Sequence, residues 1–231
     1  MSPNKQRARI AGVLYLFLAI TGAYALMYVP SKITVRGDIA ATAHNILANE
    51  FFYRTGIASH LVSSTLFVFL AMALYRLFRE VNEHQASLMV ALVMVQIPVN
   101  FLIGAFKITS LMILKGEVLK TYEPEQIQDM AMMFLKVYAY GILTLKIFWG
   151  LWLIPLAQLI IKSGFIPRFL GVLLIINGVA YIADSLISLL FPEYQEFVSG
   201  IIMVMISIGE PAFILWLLIK GTTGQKAIRE V

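Results

Sequence analysis

Cysteine is absent from this chain, and charged residues make up only 13% of it. Without cysteine there is no disulfide, no thiolate metal site and no cysteine nucleophile. Soluble domains carry about 25% charged residues, and a soluble fold of this size has too little interior to hide a chain that is 60% hydrophobic. The composition therefore indicates an integral membrane protein whose partner is the lipid bilayer.

Catalytic and nucleotide-binding motifs are also missing. The chain contains no His-Glu-x-x-His, no Gly-x-Ser-x-Gly, no phosphate-binding glycine loop and no dinucleotide fingerprint. The net charge of +5 would suit a nucleic-acid partner, but the basic residues are scattered between apolar segments and form no patch. The sequence therefore favours a protein that is not an enzyme, and no motif assigns a catalytic residue. We predict no cofactor, no metal and no nucleic-acid partner, and the sequence leaves oligomerisation open.

Six apolar segments are long enough to cross a bilayer, which takes about 20 mostly apolar residues. They cover approximately residues 10–29, 57–77, 88–114, 137–161, 170–191 and 198–219. Tight turns are predicted between the fourth and fifth segments and between the fifth and sixth. The first segment follows a short basic stretch and so resembles a signal peptide, but its apolar run is long enough to remain in the membrane. The pattern predicts an all-α fold, a polytopic six-helix transmembrane bundle that forms a single membrane domain over residues 1–231.

The two long outer loops each carry a short amphipathic segment. Asp38 is suited to cap a helix whose apolar stripe includes Ile39, Ala43 and Ile46. The second segment starts at Pro124, a residue favoured at the first position of a helix. Both are predicted to lie at the membrane surface, as lids that pack on the bundle or, alternatively, as gates over a cavity.

Lysine and arginine are unevenly divided between the two ends of the predicted spans. One side carries ten and the other carries six, and the positive-inside rule assigns the side with ten to the cytoplasm. We therefore predict a multi-pass protein of the cell membrane with both termini in the cytoplasm. The ten are Lys5, Arg7, Arg9, Arg76, Arg79, Lys162, Arg168, Lys220, Lys226 and Arg229; the six are Lys32, Arg36, Arg54, Lys115, Lys120 and Lys136.

The most informative residues are the ionisable groups within the predicted spans, because a charge at the bilayer centre costs about 2.5–3.5 kcal/mol. They are His60, Lys107, Lys146, Asp184 and Glu210. Counting from the helix ends at about 1.5 Å per residue places Lys146 and Glu210 near the midplane, where their opposite charges predict an ion pair. The same count places His60, Lys107 and Asp184 in a second layer, roughly 10 Å below the outer surface.

Polar and small residues extend from these groups along four helices. We expect the four stripes to face one another and to form a central polar cavity or network. Prolines are predicted to interrupt helices three, four and six, at Pro98, Pro155 and Pro211. The stripes are Gly56, His60, Ser63 and Ser64; Gln96, Asn100, Gly104 and Lys107; Asn177, Tyr181, Asp184 and Ser188; and Met203, Ser207 and Glu210.

Three functional interpretations follow from these stripes. The first is a protein for small-solute or proton-coupled transport or for ligand binding, in which Glu210 responds to protons or cations and Lys146 is its counter-charge. The second is a structural or accessory subunit, in which the same buried ion pairs only fix helix packing. The third is an intramembrane enzyme that acts on lipid, with His60 as the base. The predicted ligand- or ion-binding residues are Glu210, Lys146, Asp184, Lys107, His60, Asn100 and Asn177.

Several stretches of the chain together resemble a known family. They are Leu74–Asn82, Ser163–Val172 with its Ile-Pro-Arg turn, and the Gly209-Glu210 pair that is followed by Trp216-Leu217-Leu218 and Lys220-Gly221. In these stretches the chain is similar to an uncharacterised bacterial and archaeal membrane family, known only as domain-of-unknown-function family 4386. The resemblance extends from Arg9 to Gly221 and implies a multi-helix membrane domain, without an activity, substrate or cofactor.

Overall fold

The fold was determined from a computed structural model that describes residues 3–222, apart from the side chains of residues 196, 198, 199 and 201. Within this range the chain forms helices, turns and loops and no strand. Six helical segments are long and apolar enough to cross a membrane: Pro3–Ile33, Glu50–Phe78, Glu83–Leu114, Pro124–Ser163, Arg168–Leu190 and Ile202–Ile219. The predicted all-α, six-span fold class is confirmed. Lys226 and Arg229, which the orientation count includes, lie outside the described residues.

The first span consists of helix α1 (Pro3–Ala23), a π-helical turn (Tyr24–Tyr28) and helix α2 (Val29–Ile33). Pro30 explains the wide turn, because proline has no N–H to bond the carbonyl of Leu26 one turn earlier and its ring crowds that carbonyl. A π-helical turn relieves such crowding by shifting the hydrogen-bond pattern by one residue. The sequence interpretation did not include this turn.

The predicted amphipathic helix after the first span is helix α3 (Ile39–Ala48). The Asp38 carboxylate caps it by accepting a 2.8 Å hydrogen bond from the N–H of Ala41. The helix buries Thr42, Ala43 and Ile46, so it packs on its neighbours along one stripe as its sequence indicates.

Helices α4 (Glu50–Phe78) and α5 (Glu83–Leu114) form the second and third spans. Helix α5 continues through Pro98, so the interruption predicted there is wrong. Beyond the end of α5, the Lys115 ammonium donates to Glu50 at 3.2 Å and forms an ion pair with Glu117 at 3.3 Å. The hydrogen bond to Glu50, followed by the weaker effect of the hydrogen bond to Glu117, raises the pKa of Lys115.

The fourth span contains helices α6 (Pro124–Leu151) and α7 (Leu153–Ser163). The segment predicted to lie at the surface does begin at Pro124, but it runs without a break into the fourth span and is not a separate helix. The break between α6 and α7 follows from Pro155, whose ring crowds the carbonyl of Leu151, four residues earlier. The predicted interruption of this helix is therefore confirmed.

The last two spans are helices α8 (Arg168–Leu190) and α9 (Gln195–Ile219), which a short 3-10 turn (Pro192–Tyr194) connects. The tight turn predicted before α8 is present: Gly164 ends α7 with a φ of 68°, a left-handed conformation that glycine adopts without a steric cost. Pro211 lies inside α9, which continues through it, so the interruption predicted in helix six is also wrong.

The described residues divide into two compact units. Unit 1 comprises residues 3–16, 66–96 and 143–222, and unit 2 comprises residues 17–65 and 97–142. In unit 1, Arg7 forms an ion pair with Glu80 at 3.8 Å, and a Cβ atom built on Gly221 would lie 3.1 Å from the Lys5 side chain. The start of α1 and the end of α9 therefore lie close together at one end of unit 1. An even number of spans places them on the same side of a membrane.

Candidate ion-binding sites

The first candidate site is centred on Glu210 of α9, in unit 1. The hydroxyl of Tyr15 donates a 2.5 Å hydrogen bond to Glu210 Oε2, and the hydroxyl of Tyr181 donates to the same carboxyl group. Tyr15 is buried, with its ring 6.0 Å from that of Trp152 and 6.2 Å from that of Phe213. Within the described part of the chain, no basic side chain lies within ion-pair distance of Glu210.

Lys146 forms its ion pair with Asp184, at 2.5 Å between Nζ and Oδ2. The predicted pair between Lys146 and Glu210 is therefore wrong. The depth count ignored the direction in which each side chain leaves its helix, and that direction decides which acid the ammonium meets. The Asp184 side chain is 4% exposed and that of Lys146 is 27% exposed. The carboxylate of this pair is therefore buried, whereas the lysine side chain is partly accessible.

The contact between α6 and α8 brings the two partners together. A Cβ atom built on Gly150 would overlap the carbonyl oxygen of Gly178, so the two backbones touch. The Ser185 hydroxyl also donates to the carbonyl of Leu143 at 2.8 Å. These contacts place Asp184, next to Ser185, opposite the Lys146 side chain.

Tyr181 connects the ion pair with Glu210. Its hydroxyl bonds Glu210, and it also interacts electrostatically with Asp184. Its ring meets that of Trp149 edge to face, at 5.8 Å between centroids. Lys146 and Glu210 thus belong to one polar network through Asp184 and Tyr181, although they do not pair directly.

Asn177 positions the segment of α9 that carries Glu210. Its side-chain amide donates a 3.2 Å hydrogen bond to the carbonyl of Ile206, and a Cβ atom on Gly209 would lie 2.8 Å from its amide oxygen. Glycine at 209 is what allows this approach. Pro211, directly after Glu210, has no N–H to bond the carbonyl of Ser207. The candidate carboxylate therefore lies on a locally weakened turn that Asn177 supports.

The second candidate site lies in unit 2 and contains Lys107 and His60. Lys107 is 4% exposed, and its Nζ lies 5.1 Å from the ring centroid of Tyr53 and 5.0 Å from that of Tyr138. The His60 Nε2 donates to the carbonyl of Asn100 at 3.2 Å. His60 and Lys107 thus belong to one site, whereas Asp184, predicted to share their layer, belongs to unit 1.

The polar stripes face inward on three of the four helices. The predicted stripes of α4, α5 and α8 are buried, apart from the partly buried Ser63 and Tyr181. On α9 the prediction is wrong for Met203 and Ser207, which are exposed, and only Glu210 is half-buried. Ser207 satisfies its hydroxyl by donating to the carbonyl of Met203 at 2.6 Å. A serine that bonds its own helix needs no polar neighbour and can face lipid.

Sequence reasoning missed the tyrosines that complete both sites. Tyr15 binds Glu210, while Tyr53 and Tyr138 lie against Lys107. Within an apolar run a tyrosine reads as apolar bulk, although its hydroxyl needs a partner when it is buried. For Tyr15 the available signal was its position inside the first predicted span. Tyr53 lies before the second predicted span and Tyr138 at the edge of the fourth, so neither was marked in this way.

Unit 2 also contains a half-open cleft of about 320 Å³ between α3, the end of α5 and the start of α6. It adjoins the apolar cluster that includes Ala43 and Tyr53. No three histidine or acidic side chains of the described chain lie close enough together to hold a metal ion. The lining residues are Ala40, Ala43, His44, Leu47, Leu114, Pro124, Ile127 and Gln128.

Comparisons with known proteins agree with the resemblance noted in the sequence. Residues 10–221 match the model of the domain of unknown function DUF4386. An uncharacterized protein of Archaeoglobus fulgidus is 39% identical over 83 residues, which are 36% of this chain and 48% of that protein. The chain thus aligns with about half the length of this relative. No solved structure matches.

Proposed function

This chain belongs to the DUF4386 family, whose function is unknown, and on that premise we propose that it is a small-solute transporter coupled to a proton or monovalent cation bound at Glu210. The observation that carries the proposal is the set of partners around Glu210. Two tyrosine hydroxyls reach its carboxyl group, while the nearby ammonium of Lys146 is already paired with Asp184.

The charges of this network do not balance, because it contains two acids and one base. Lys146 and Asp184 cancel each other, and Glu210 has no basic partner in the described chain. An uncompensated carboxylate within a membrane costs several kcal/mol, and such groups typically mark proton or ion pathways. Glu210 therefore takes its compensating charge from outside the protein, either as a proton or as a bound cation.

The surroundings of Glu210 suit a group that exchanges this charge. Hydroxyls, unlike an ammonium group, can bond a carboxylate in either protonation state, because a tyrosine hydroxyl both donates and accepts. Pro211 removes one backbone hydrogen bond beside the acid, which lowers the resistance of this turn to movement. In this proposal, the protein lies in the cell membrane with its termini in the cytoplasm.

Tryptophan fluorescence is a direct test, because two tryptophans contact the tyrosines that bind Glu210. Trp149 lies against Tyr181 and Trp152 lies against Tyr15. The purified protein would be titrated with acid in N-methylglucamine chloride, then with sodium or potassium chloride at fixed pH. We expect a change in emission during at least one titration, and we expect Glu210→Gln to abolish it.

The matched control for this test is Glu193→Gln, which makes the same chemical change at an exposed acid in unit 1. This variant should retain the response of the native protein. An emission that responds to neither protons nor cations, or that responds equally in the Glu210→Gln variant, would contradict the proposal. A response to protons alone identifies the coupling ion as H⁺, and a response to sodium or potassium identifies that cation.

A structural or accessory role is the second candidate, and the Lys146–Asp184 ion pair favours it. A 2.5 Å pair between adjacent helices can fix their register without any ligand. This role requires no exchangeable charge at Glu210. Any carboxyl group takes up a proton at a sufficiently low pH. The two functions are therefore separated by titration near neutral pH and by the sodium and potassium titrations, where a purely structural network gives no response that depends on Glu210.

A further inference from the structure

Lys107 is a buried cation that has no acidic partner among the residues the structure describes. Its side chain is 4% exposed, and no carboxylate within the described residues lies within ion-pair distance of its Nζ. Its Nζ lies over the rings of Tyr53 and Tyr138, at 5.1 and 5.0 Å from their centroids. The two rings stabilise a cation through their electron-rich faces, but they bring no negative charge.

A second polar atom at this position also lacks a partner. The hydroxyl oxygen of Tyr138 is buried and makes no hydrogen bond within the described part of the chain. A buried hydroxyl without a partner destabilises the fold, so native proteins rarely retain one unless a ligand or water satisfies it. The ring of Tyr138 contacts both Lys107 and His60, whose ring centroid lies 5.8 Å away. The unpaired ammonium and the unbonded hydroxyl therefore belong to two residues in direct contact.

We infer that Lys107, Tyr138 and His60 form a binding site for a small monovalent anion, either a halide or a short carboxylate. The anion supplies the negative counter-charge for the Lys107 ammonium and accepts a hydrogen bond from the Tyr138 hydroxyl. The surrounding rings and the buried position favour a small ion over a polyvalent one, because each additional charge adds a desolvation cost. All three residues lie in unit 2, so the inference does not rest on the proposed role of Glu210.

In this inference, the cleft in unit 2 is the route by which the anion reaches the site. Leu114, which lines the cleft, lies two turns along α5 from Lys107, or about 10 Å. Ala43 of α3 lines the same cleft and packs in the cluster that contains Tyr53. The cleft and the Tyr53 ring that lies against Lys107 thus adjoin the same apolar cluster. Movement of α3 would therefore open a path for the anion.

Isothermal titration calorimetry on the full-length protein in detergent tests the site, with sodium bromide and sodium formate as probes and sodium gluconate as the balancing salt. We expect heat from at least one probe. Tyr138→Phe removes only the unbonded hydroxyl and should weaken the affinity about tenfold. Lys107→Met should abolish binding, whereas Lys120→Met, at an exposed lysine of unit 2, should leave it unchanged.

The result with each probe assigns the ligand. Binding of both probes indicates a site for small anions in general, and binding of formate alone indicates a carboxylate site. Folding of each variant is checked by thermal unfolding without added probe, where Tyr138→Phe should be at least as stable as the native protein, because it loses no hydrogen bond and removes an unsatisfied buried hydroxyl. The inference is overturned if neither probe binds, or if binding persists unchanged in the folded Tyr138→Phe and Lys107→Met variants.

Discussion

Tyr15 and Glu210 are separated by 195 residues in the chain, yet the hydroxyl of one donates a 2.5 Å hydrogen bond to the carboxyl group of the other. The bond connects the first span with the last, and both residues belong to unit 1. It assigns the first span a role in holding the candidate site, in addition to its role in crossing the membrane.

Removal of this hydroxyl should destabilise the protein. Tyr15→Phe deletes a hydrogen bond to a charged or ionisable group in the interior, which is worth about 1.5–3 kcal/mol. Chemical unfolding in detergent micelles would measure the loss. Tyr75→Phe is the matched control, because it breaks an exposed 3.2 Å bond to Glu83 in the same unit and should cost much less. Equal losses in the two variants would show that the interior position of the Tyr15 bond has no effect on its strength.

Removal of the Lys146 ammonium should leave the buried Asp184 carboxylate without its counter-charge and destabilise the protein. Lys146→Met leaves Asp184, which is 4% exposed, without its cation, and the expected loss of stability is about 3–5 kcal/mol. The double variant with Asp184→Asn should recover most of that loss, as a double-mutant cycle of unfolding free energies would reveal. As a control, Arg54→Met disrupts a solvent-accessible pair with Glu50 and should cost far less. Additive losses in the cycle would mean that the two residues do not interact.

Gly209 should not tolerate a side chain. In Gly209→Ala the new methyl group would lie 2.8 Å from the Asn177 amide oxygen, so Asn177 must move and release the carbonyl of Ile206. We expect a loss of about 1–3 kcal/mol in thermal or chemical unfolding. Gly200→Ala, in the same helix but with open space around the added atom, should be neutral or slightly stabilising. The idea that Asn177 supports α9 fails if both alanines have the same effect.

The six-span outline could be predicted from sequence because it depends on composition alone. A run of about 20 apolar residues has to lie in lipid whatever its neighbours are. The identity of the ionisable residues within the spans is likewise visible in the sequence. Asp38 as a helix cap and the turn at Gly164 follow from local chemistry in the same way.

The pairing of the buried charges could not be predicted, because it depends on how helices rotate and cross. The close contact between Gly150 and Gly178 sets which side of α8 faces α6, and this contact selects Asp184 as the partner of Lys146. A count of residues along each helix measures depth and contains no information about rotation. The sequence analysis also treated the segment at Pro124 as separate from the fourth span. No residue in 134–137 ends a helix, so the two form one continuous helix.

The cysteine-free chain permits a clean test of the predicted orientation. A single cysteine at Lys120, in a loop predicted to lie outside, should react in intact cells with a membrane-impermeant maleimide. A cysteine at the exposed Glu80, predicted to lie in the cytoplasm, should react only after the membrane is permeabilised. The native chain contains no cysteine and provides the background. The opposite labelling pattern would reverse the proposed topology.

Infrared difference spectroscopy tests most directly whether Glu210 takes its compensating charge from outside the protein. Spectra recorded between low and high pH in N-methylglucamine chloride should contain a carboxylic-acid carbonyl band that is lost in Glu210→Gln and kept in Glu193→Gln. If the site also takes a cation, added sodium or potassium should diminish that band at constant pH. If no band depends on Glu210 at any pH or salt composition, the carboxyl group does not exchange its charge, and the proposed coupling site is wrong.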